Sequence, residues 1–156
     1  MRAMDIHPTA LKTQDRLRAA GLEVEVEELS KSTRTAAEAA AAVGVEVGQI
    51  VKSLVFGRDG RDPLLVLCAG DRRVDTAQLG YDVRPARADE VRSVTGYSIG
   101  GVPPLGHDRP LRTIVDESLR RFDSVWCAAG TPNAVFCVET EALIAAIPNA
   151  EVRAVS

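Results

Sequence analysis

Apolar and polar positions along this chain change period several times, and the changes mark its elements. Residues 8–20 read as a helix, with Pro8 suited to the first helical position and Gly21 to a stop. Residues 22–29 then alternate, Leu22, Val24 and Val26 against Glu23, Glu25 and Glu27, the pattern of a half-exposed strand. Thr35-Ala36-Ala37-Glu38 is a capping box opening an alanine-rich helix that ends near Gly44, its small side chains permitting close packing on a sheet. Residues 50–56 are apolar on both faces apart from Lys52 and Ser53, which predicts a central strand. A Gly57-Arg58-Asp59-Gly60 turn leads to a second buried strand over 63–69, so the two form an antiparallel hairpin.

Beyond it, residues 75–80 predict a short helix, Val83 a short strand, and 88–94 a helix stopped by Gly96. Residues 97–110 have no periodicity and are dense in glycine and proline; an irregular stretch of that length inside a compact domain is often functional. Strands follow at 111–116 and 124–129. The turn Gly130-Thr131-Pro132-Asn133 and a strand at 134–138 complete a second hairpin, and Thr140 caps a helix ending before Pro148, ahead of an edge strand at 152–155. Hairpins separated by helices are not the rhythm of a parallel doubly wound sheet. The expected fold is α/β of the α+β type, a mixed, mainly antiparallel sheet surrounded by helices, in one domain spanning 1–156.

Composition narrows the function. At 46% apolar and 26% charged residues the chain is ordinary for a globular protein. No apolar run approaches the ~20 residues of a membrane helix, and Met1-Arg2-Ala3-Met4-Asp5 lacks the apolar stretch of a secretory signal, so a cytoplasmic location is expected. A net charge of −3 argues against a general nucleic-acid coater, while leaving room for a local basic patch. Arg72, Arg73, Arg109 and Arg112 are candidates for such a patch or for a solvated face. Cys68, Cys127 and Cys137 have neither metal-finger nor redox spacing and sit in apolar runs, which favours buried small hydrophobes over a catalytic thiol.

Lysine is scarce here: Lys12, Lys31 and Lys52 are the only ones. Lys52 shares a strand face with Ile50, Leu54 and Phe56. An amine there either snorkels to solvent or reaches a wet pocket, where it can hold a phosphate or carboxylate or stabilise an oxyanion. Gly100-Gly101-Val102-Pro103-Pro104-Leu105-Gly106 can present main-chain donors to an anion or be a structural turn. It is neither a Walker motif nor a dinucleotide fingerprint. Asp116 closes an apolar strand, either at a pocket rim or as a cap of the following turn. Gly130-Thr131 follows small residues that either leave room for a ligand or form a plain hairpin turn.

The order of these segments carries more than any one of them. Val51-Lys52-Ser53-Leu54-Val55-Phe56, Gly70-Asp71-Arg72-Arg73-Val74-Asp75, Thr95-Gly96-Tyr97-Ser98-Ile99-Gly100-Gly101-Val102-Pro103-Pro104-Leu105-Gly106 and Val115-Asp116-Glu117-Ser118-Leu119 together resemble the YbaK/EbsC family of aminoacyl-tRNA editing domains. This family is related to the insertion domain of bacterial prolyl-tRNA synthetase, and the resemblance runs from about Thr35 to the C-terminus. It implies a YbaK-like fold, no cofactor or metal, and hydrolysis of a mischarged tRNA carrying a small amino acid such as Cys or Ala on tRNA(Pro). Its implied partners are the aminoacylated 3′ end of tRNA and a synthetase. By matching position, Lys52, Gly100, Gly101 and Val102 are the catalytic candidates, and Thr35, Tyr97, Pro103, Asp116, Gly130 and Thr131 the substrate-binding ones. Pro103 replaces a small hydroxyl residue found in many relatives, so no hydroxyl role falls there. Gly130-Thr131-Pro132-Asn133 replaces a glycine-basic-glycine turn. Two rivals stand beside the editing expectation: a noncatalytic aminoacyl-adenosine or nucleotide module docked on a synthetase, and a hydrolase of another small ester or a thiol-dependent enzyme.

Overall fold

The computed structural model describes residues 6–30 and 35–156; Met1 to Asp5, in which no secretory stretch is expected, and Lys31 lie outside them. Helix α1 (Pro8–Ala19) starts as expected, with the His7 ring Nδ1 accepting the Thr9 N–H at 3.0 Å. Leu22, Val24 and Val26 are buried, and Glu23, Glu25 and Glu27 exposed, as their alternation predicts. Yet only β1 (Glu27–Glu28) pairs as strand. Side chains of α1 take the place of a ladder. Gln14 Oε1 accepts the Val26 N–H at 2.8 Å, and Arg18 Nε donates to the Val24 carbonyl at 3.1 Å. A period of two reports which face is covered, whereas pairing needs a partner strand.

Helix α2 (Ala36–Val43) is capped by Thr35, whose hydroxyl accepts the Glu38 N–H at 3.1 Å. Strands β2 (Val51–Arg58) and β3 (Arg61–Ala69) form the first hairpin, with Lys52 opposite Cys68. Then come β4 (Arg84–Pro85), one residue past Val83, α3 (Ala88–Thr95), β5 (Arg112–Asp116), the second hairpin β6 (Ser124–Ala128) with β7 (Ala134–Glu139), α4 (Thr140–Ala146) and β8 (Glu151–Arg153). The segment expected as a short helix at 75–80 is a single 3-10 turn, Thr76–Leu79.

The strands are mixed and mainly antiparallel, but they make two sheets rather than one. One has the order β4-β2-β3-β5-β8, with β3–β5 and β5–β8 parallel; the other is β1-β7-β6. A lone parallel bridge, Ile50 to Trp126, joins them. The most deeply buried run is in β3, where Leu64 to Ala69 are each 0% exposed. In strand β2, Val51 and Val55 to Gly57 are buried, whereas Lys52, Ser53 and Leu54 are half-buried. The cause is β4, which pairs with β2 only at Phe56 and Gly57 and leaves the first half of that edge facing the other sheet. Among the described residues no helix is long and apolar enough to cross a membrane.

Asp116 corrects one expectation. Its carboxylate is not at a pocket rim; it is 1% exposed and holds the end of the chain. It accepts the Val155 N–H at 2.8 Å, the Ser156 hydroxyl at 2.9 Å, and both the hydroxyl and the N–H of Ser118. Burial alone would raise its pKa, but the hydrogen bonds from Ser118, Val155 and Ser156 outweigh burial and hold it below the usual carboxylate range. A pKa lower in the folded than in the unfolded state contributes stability that is complete above the unfolded value and is lost as pH falls through the folded one. Asp116→Ala is therefore expected to cost about 2 kcal/mol near neutral pH, because the Val155 N–H is left buried without an acceptor. The gap from wild type should narrow below about pH 4. Denaturant melts of both proteins at pH 7 and pH 3 check this; a gap independent of pH would remove the charge from the account.

Candidate active site

The seam between the two sheets opens into a cavity of about 370 Å³. Its floor is the start of β2 with the residue before it, from Ile50 to Leu54. Ala36, Ala39 and Val43 of α2 form one wall, Trp126 to Ala128 of β6 another, and Ile99, Gly100 and Val102 the third. The alanines of α2 thus have a second consequence: Ala39 packs on Ile50, as expected of a small side chain, but the helix also leaves space above the sheet.

Lys52 reaches this space from β2, and its Nζ donates to the main-chain carbonyl of Arg72, in the segment following β3. The other titratable side chain lining the cavity is Cys127. Burial pushes the Cys127 thiol far above its ordinary range, and burial also raises Cys68 across the strand from Lys52. Neither thiol is set up as a thiolate nucleophile; Cys137, expected to be buried, is exposed instead and does not line the cavity.

The glycine segment is held by its own hydrogen bonds. The Gly101 N–H donates to the Ser98 carbonyl at 3.0 Å, and the Gly101 carbonyl accepts the Gly130 N–H at 2.8 Å. A Cβ on Gly101 would lie 2.7 Å from the Gly130 oxygen, so the two main chains meet where no side chain fits. The N–H groups of Gly100 and Val102 have no hydrogen-bond acceptor among the described residues. Since Gly100 and Val102 both line the cavity, these flanking groups, rather than that of Gly101, are the candidate donors to a ligand.

Of the ten positions singled out by sequence, Thr35, Lys52, Gly100 and Val102 line this cavity. Gly101 lies behind it against Gly130. Tyr97, Gly130 and Thr131 line a neighbouring groove of about 450 Å³ that shares Pro132 with the cavity. The Tyr97 ring is buried, and its hydroxyl accepts from Thr13 at 3.0 Å, tying α1 to the glycine segment. Pro103 lines neither space; its carbonyl accepts from His107 Nε2 at 2.7 Å. Burial lowers the His107 pKa, and a carbonyl only accepts, so the neutral ring carries its proton on Nε2. Asp116 also lies outside both spaces. Sequence reasoning misses Trp126, Val43 and Ile99. Trp126, the chain's sole tryptophan, sits in an alternating strand, but alternation alone does not say which face meets a cavity. Ile99 is the exposed large hydrophobic residue of the described chain, 59% accessible at the cavity rim.

Comparison with known proteins places this geometry. The model of the aminoacyl-tRNA editing domain matches residues 30–146. YwhH of Bacillus subtilis, a protein of unassigned function, is 36% identical over 115 residues, covering 71% of this chain and 73% of that protein. The proline--tRNA ligase of Lactobacillus gasseri is 35% identical over 86 residues, which is 52% of this chain and 15% of that enzyme. The crystal structure of a protein proposed as a trans-editing enzyme for prolyl-tRNA synthetase superposes with a TM-score of 0.90 at 44% identity, over 97% of this chain and 98% of that one. By sequence and by fold, the chain belongs to the aminoacyl-tRNA editing domain family.

Proposed function

We propose that this chain is a freestanding trans-editing hydrolase that removes a small amino acid, Cys or Ala, from mischarged tRNA, with tRNA(Pro) as the carrier. The observation that carries the reading is that Lys52, Gly100 and Val102 line one largely apolar cavity, the last two with N–H groups that have no partner among the described residues. The likeness to a protein proposed as a trans-editing enzyme for prolyl-tRNA synthetase supports the choice of tRNA.

Hydrolysis adds water oxygen to the ester carbonyl carbon and breaks the bond to the ribose oxygen, which receives a proton derived from that water. Negative charge develops on the carbonyl oxygen. On this reading the N–H groups of Gly100 and Val102 donate to that oxygen, and losing one such donor typically costs about 3 kcal/mol. Lys52 orients the ester or the terminal adenosine's phosphate. The nucleophilic water is positioned by the substrate's own ribose hydroxyl, because no carboxylate or imidazole lines the cavity among the described residues. Ala36, Ala39, Val43 and Trp126 suit a short, weakly polar side chain.

The test is release of amino acid from tRNAs charged with Ala, Cys, Ser and Pro. Release from the Cys or Ala member, with Pro spared, is the expected result. The noncatalytic module draws on one observation, that the Lys52 amine already has the Arg72 carbonyl as partner. It predicts thermal stabilisation by a nonhydrolysable aminoacyl-adenosine analogue with no release from any charged tRNA.

A further inference from the structure

Half of the described arginines pair with carboxylates, among them Arg84 with Glu90, Arg112 with Glu151 and Arg121 with Asp71. Arg72 and Arg73 are different. They are adjacent and exposed, and neither guanidinium has an ion-pair or hydrogen-bond partner among the described residues. The segment that carries them is fixed from every side. The Gly70 N–H donates to the Ile50 carbonyl at 2.7 Å, and a Cβ on Gly70 would lie 2.4 Å from the Val47 oxygen. Asp71 takes a bidentate pair from Arg121 at 3.0 and 2.7 Å. The Arg72 carbonyl receives the Lys52 amine at the cavity. Asp71, the carboxylate beside the two arginines, is thereby already neutralised. Two exposed guanidinium groups thus stand on a braced segment beside Lys52, which lines the cavity, on a chain whose net charge is −3.

We propose that Arg72 and Arg73 are a phosphate-binding surface that holds the phosphodiester backbone of the tRNA 3′ strand while its terminal ester enters the cavity. This rests on the editing reading for the identity of the strand. Guanidinium groups match phosphate oxygens in a planar, two-bond geometry. Presenting them from a clamped segment reduces the ordering cost of binding. Of the four arginines that the sequence offers as a basic patch, the fold commits Arg112 to Glu151 and separates Arg109 into the segment before β5.

The experiment measures binding of uncharged tRNA by fluorescence anisotropy across a salt series, for wild type, an Arg72→Ala/Arg73→Ala double variant and Arg61→Ala. Arg61 is equally unpartnered and lies at the far end of the same β2–β3 hairpin, so it controls for loss of a surface cation elsewhere, one charge against two. The double variant is expected to bind at least tenfold more weakly at 0.1 M salt. Its log–log salt slope should be shallower by about 1.4, from two single-strand phosphate contacts at about 0.7 each. Arg61→Ala should bind as wild type does. Wild-type affinity and slope in the double variant, equal weakening by Arg61→Ala, or no tRNA binding by wild type would each overturn the proposal. Hydrolysis of an aminoacyl-adenosine, which lacks the strand, separates it from the editing reading. The double variant should match wild type there, whereas wild type that binds tRNA through these arginines and hydrolyses nothing would sink the editing reading alone.

Discussion

Lys52→Ala is expected to lower deacylation of the preferred charged tRNA roughly 100-fold or more, the effect of removing one preorganised group that meets the developing charge. The loss should fall in kcat/KM, with kcat carrying most of it if the amine acts on the ester and KM if it only holds a phosphate. The fold should survive, because Lys52 is half-buried on the uncovered half of β2 and its hydrogen-bond partner is a loop carbonyl that water can satisfy. Lys52→Met keeps most of the packing stem and removes the amine. If both variants lose activity while the thermal midpoint stays put, the amine is responsible. Undiminished turnover in either variant would remove Lys52 from the mechanism.

Gly101→Ala is expected to be the most damaging small substitution in the glycine segment. The new methyl would lie 2.7 Å from the oxygen and 2.8 Å from the carbon of the Gly130 carbonyl, and 3.0 Å from the Thr131 Cα. All three are main-chain atoms held by the 2.8 Å hydrogen bond from Gly130 to Gly101, so no side chain can swing away. Overpacking of this kind costs about 1–3 kcal/mol. The separation it forces moves the flanking Gly100 and Val102 donors as well, and a misplacement of about 1 Å can cost on the order of 100-fold in rate. Gly60→Ala is the control. Gly60 sits at φ 69° in the distant β2–β3 turn with nothing near its Cβ, so it should lose about 1 kcal/mol from backbone strain and keep full activity. Denaturant melts and deacylation rates on the three proteins separate displacement of the site from plain destabilisation. Full activity in Gly101→Ala would mean that the segment's main chain does not meet the ester.

Local signals were strong enough to define most elements. Pro8, the Thr35 capping box and Gly96 are chemical instructions to the two or three peptide groups beside them, and α1, α2 and α3 begin or end where those residues stand. The two hairpins follow from short turns between apolar runs, because chain segments that close in sequence meet at little entropic cost. The glycine-proline motif, read with the Val51 to Phe56 run, was sufficient to point to the editing-domain family.

Properties that depend on two distant segments were not legible. The alternation over 22–29 predicted burial but not pairing, since Gln14 and Arg18 from α1 occupy groups that a neighbouring strand would have used. Apolar residues on both faces of 50–56 suggested full burial, while the two-residue length of β4 decided that Lys52 faces an opening. Asp116 carried the same local signature whether it capped a turn or lined a pocket; the return of Val155 and Ser156 from 39 and 40 residues away settled it. By itself, then, the sequence determined the elements, the hairpins and the family, because those are written in residues adjacent along the chain or in a family motif. The tertiary structure alone decided that the strands divide into two sheets, and that the seam between them is the cavity. An empty space belongs to no single segment and leaves no period in any of them.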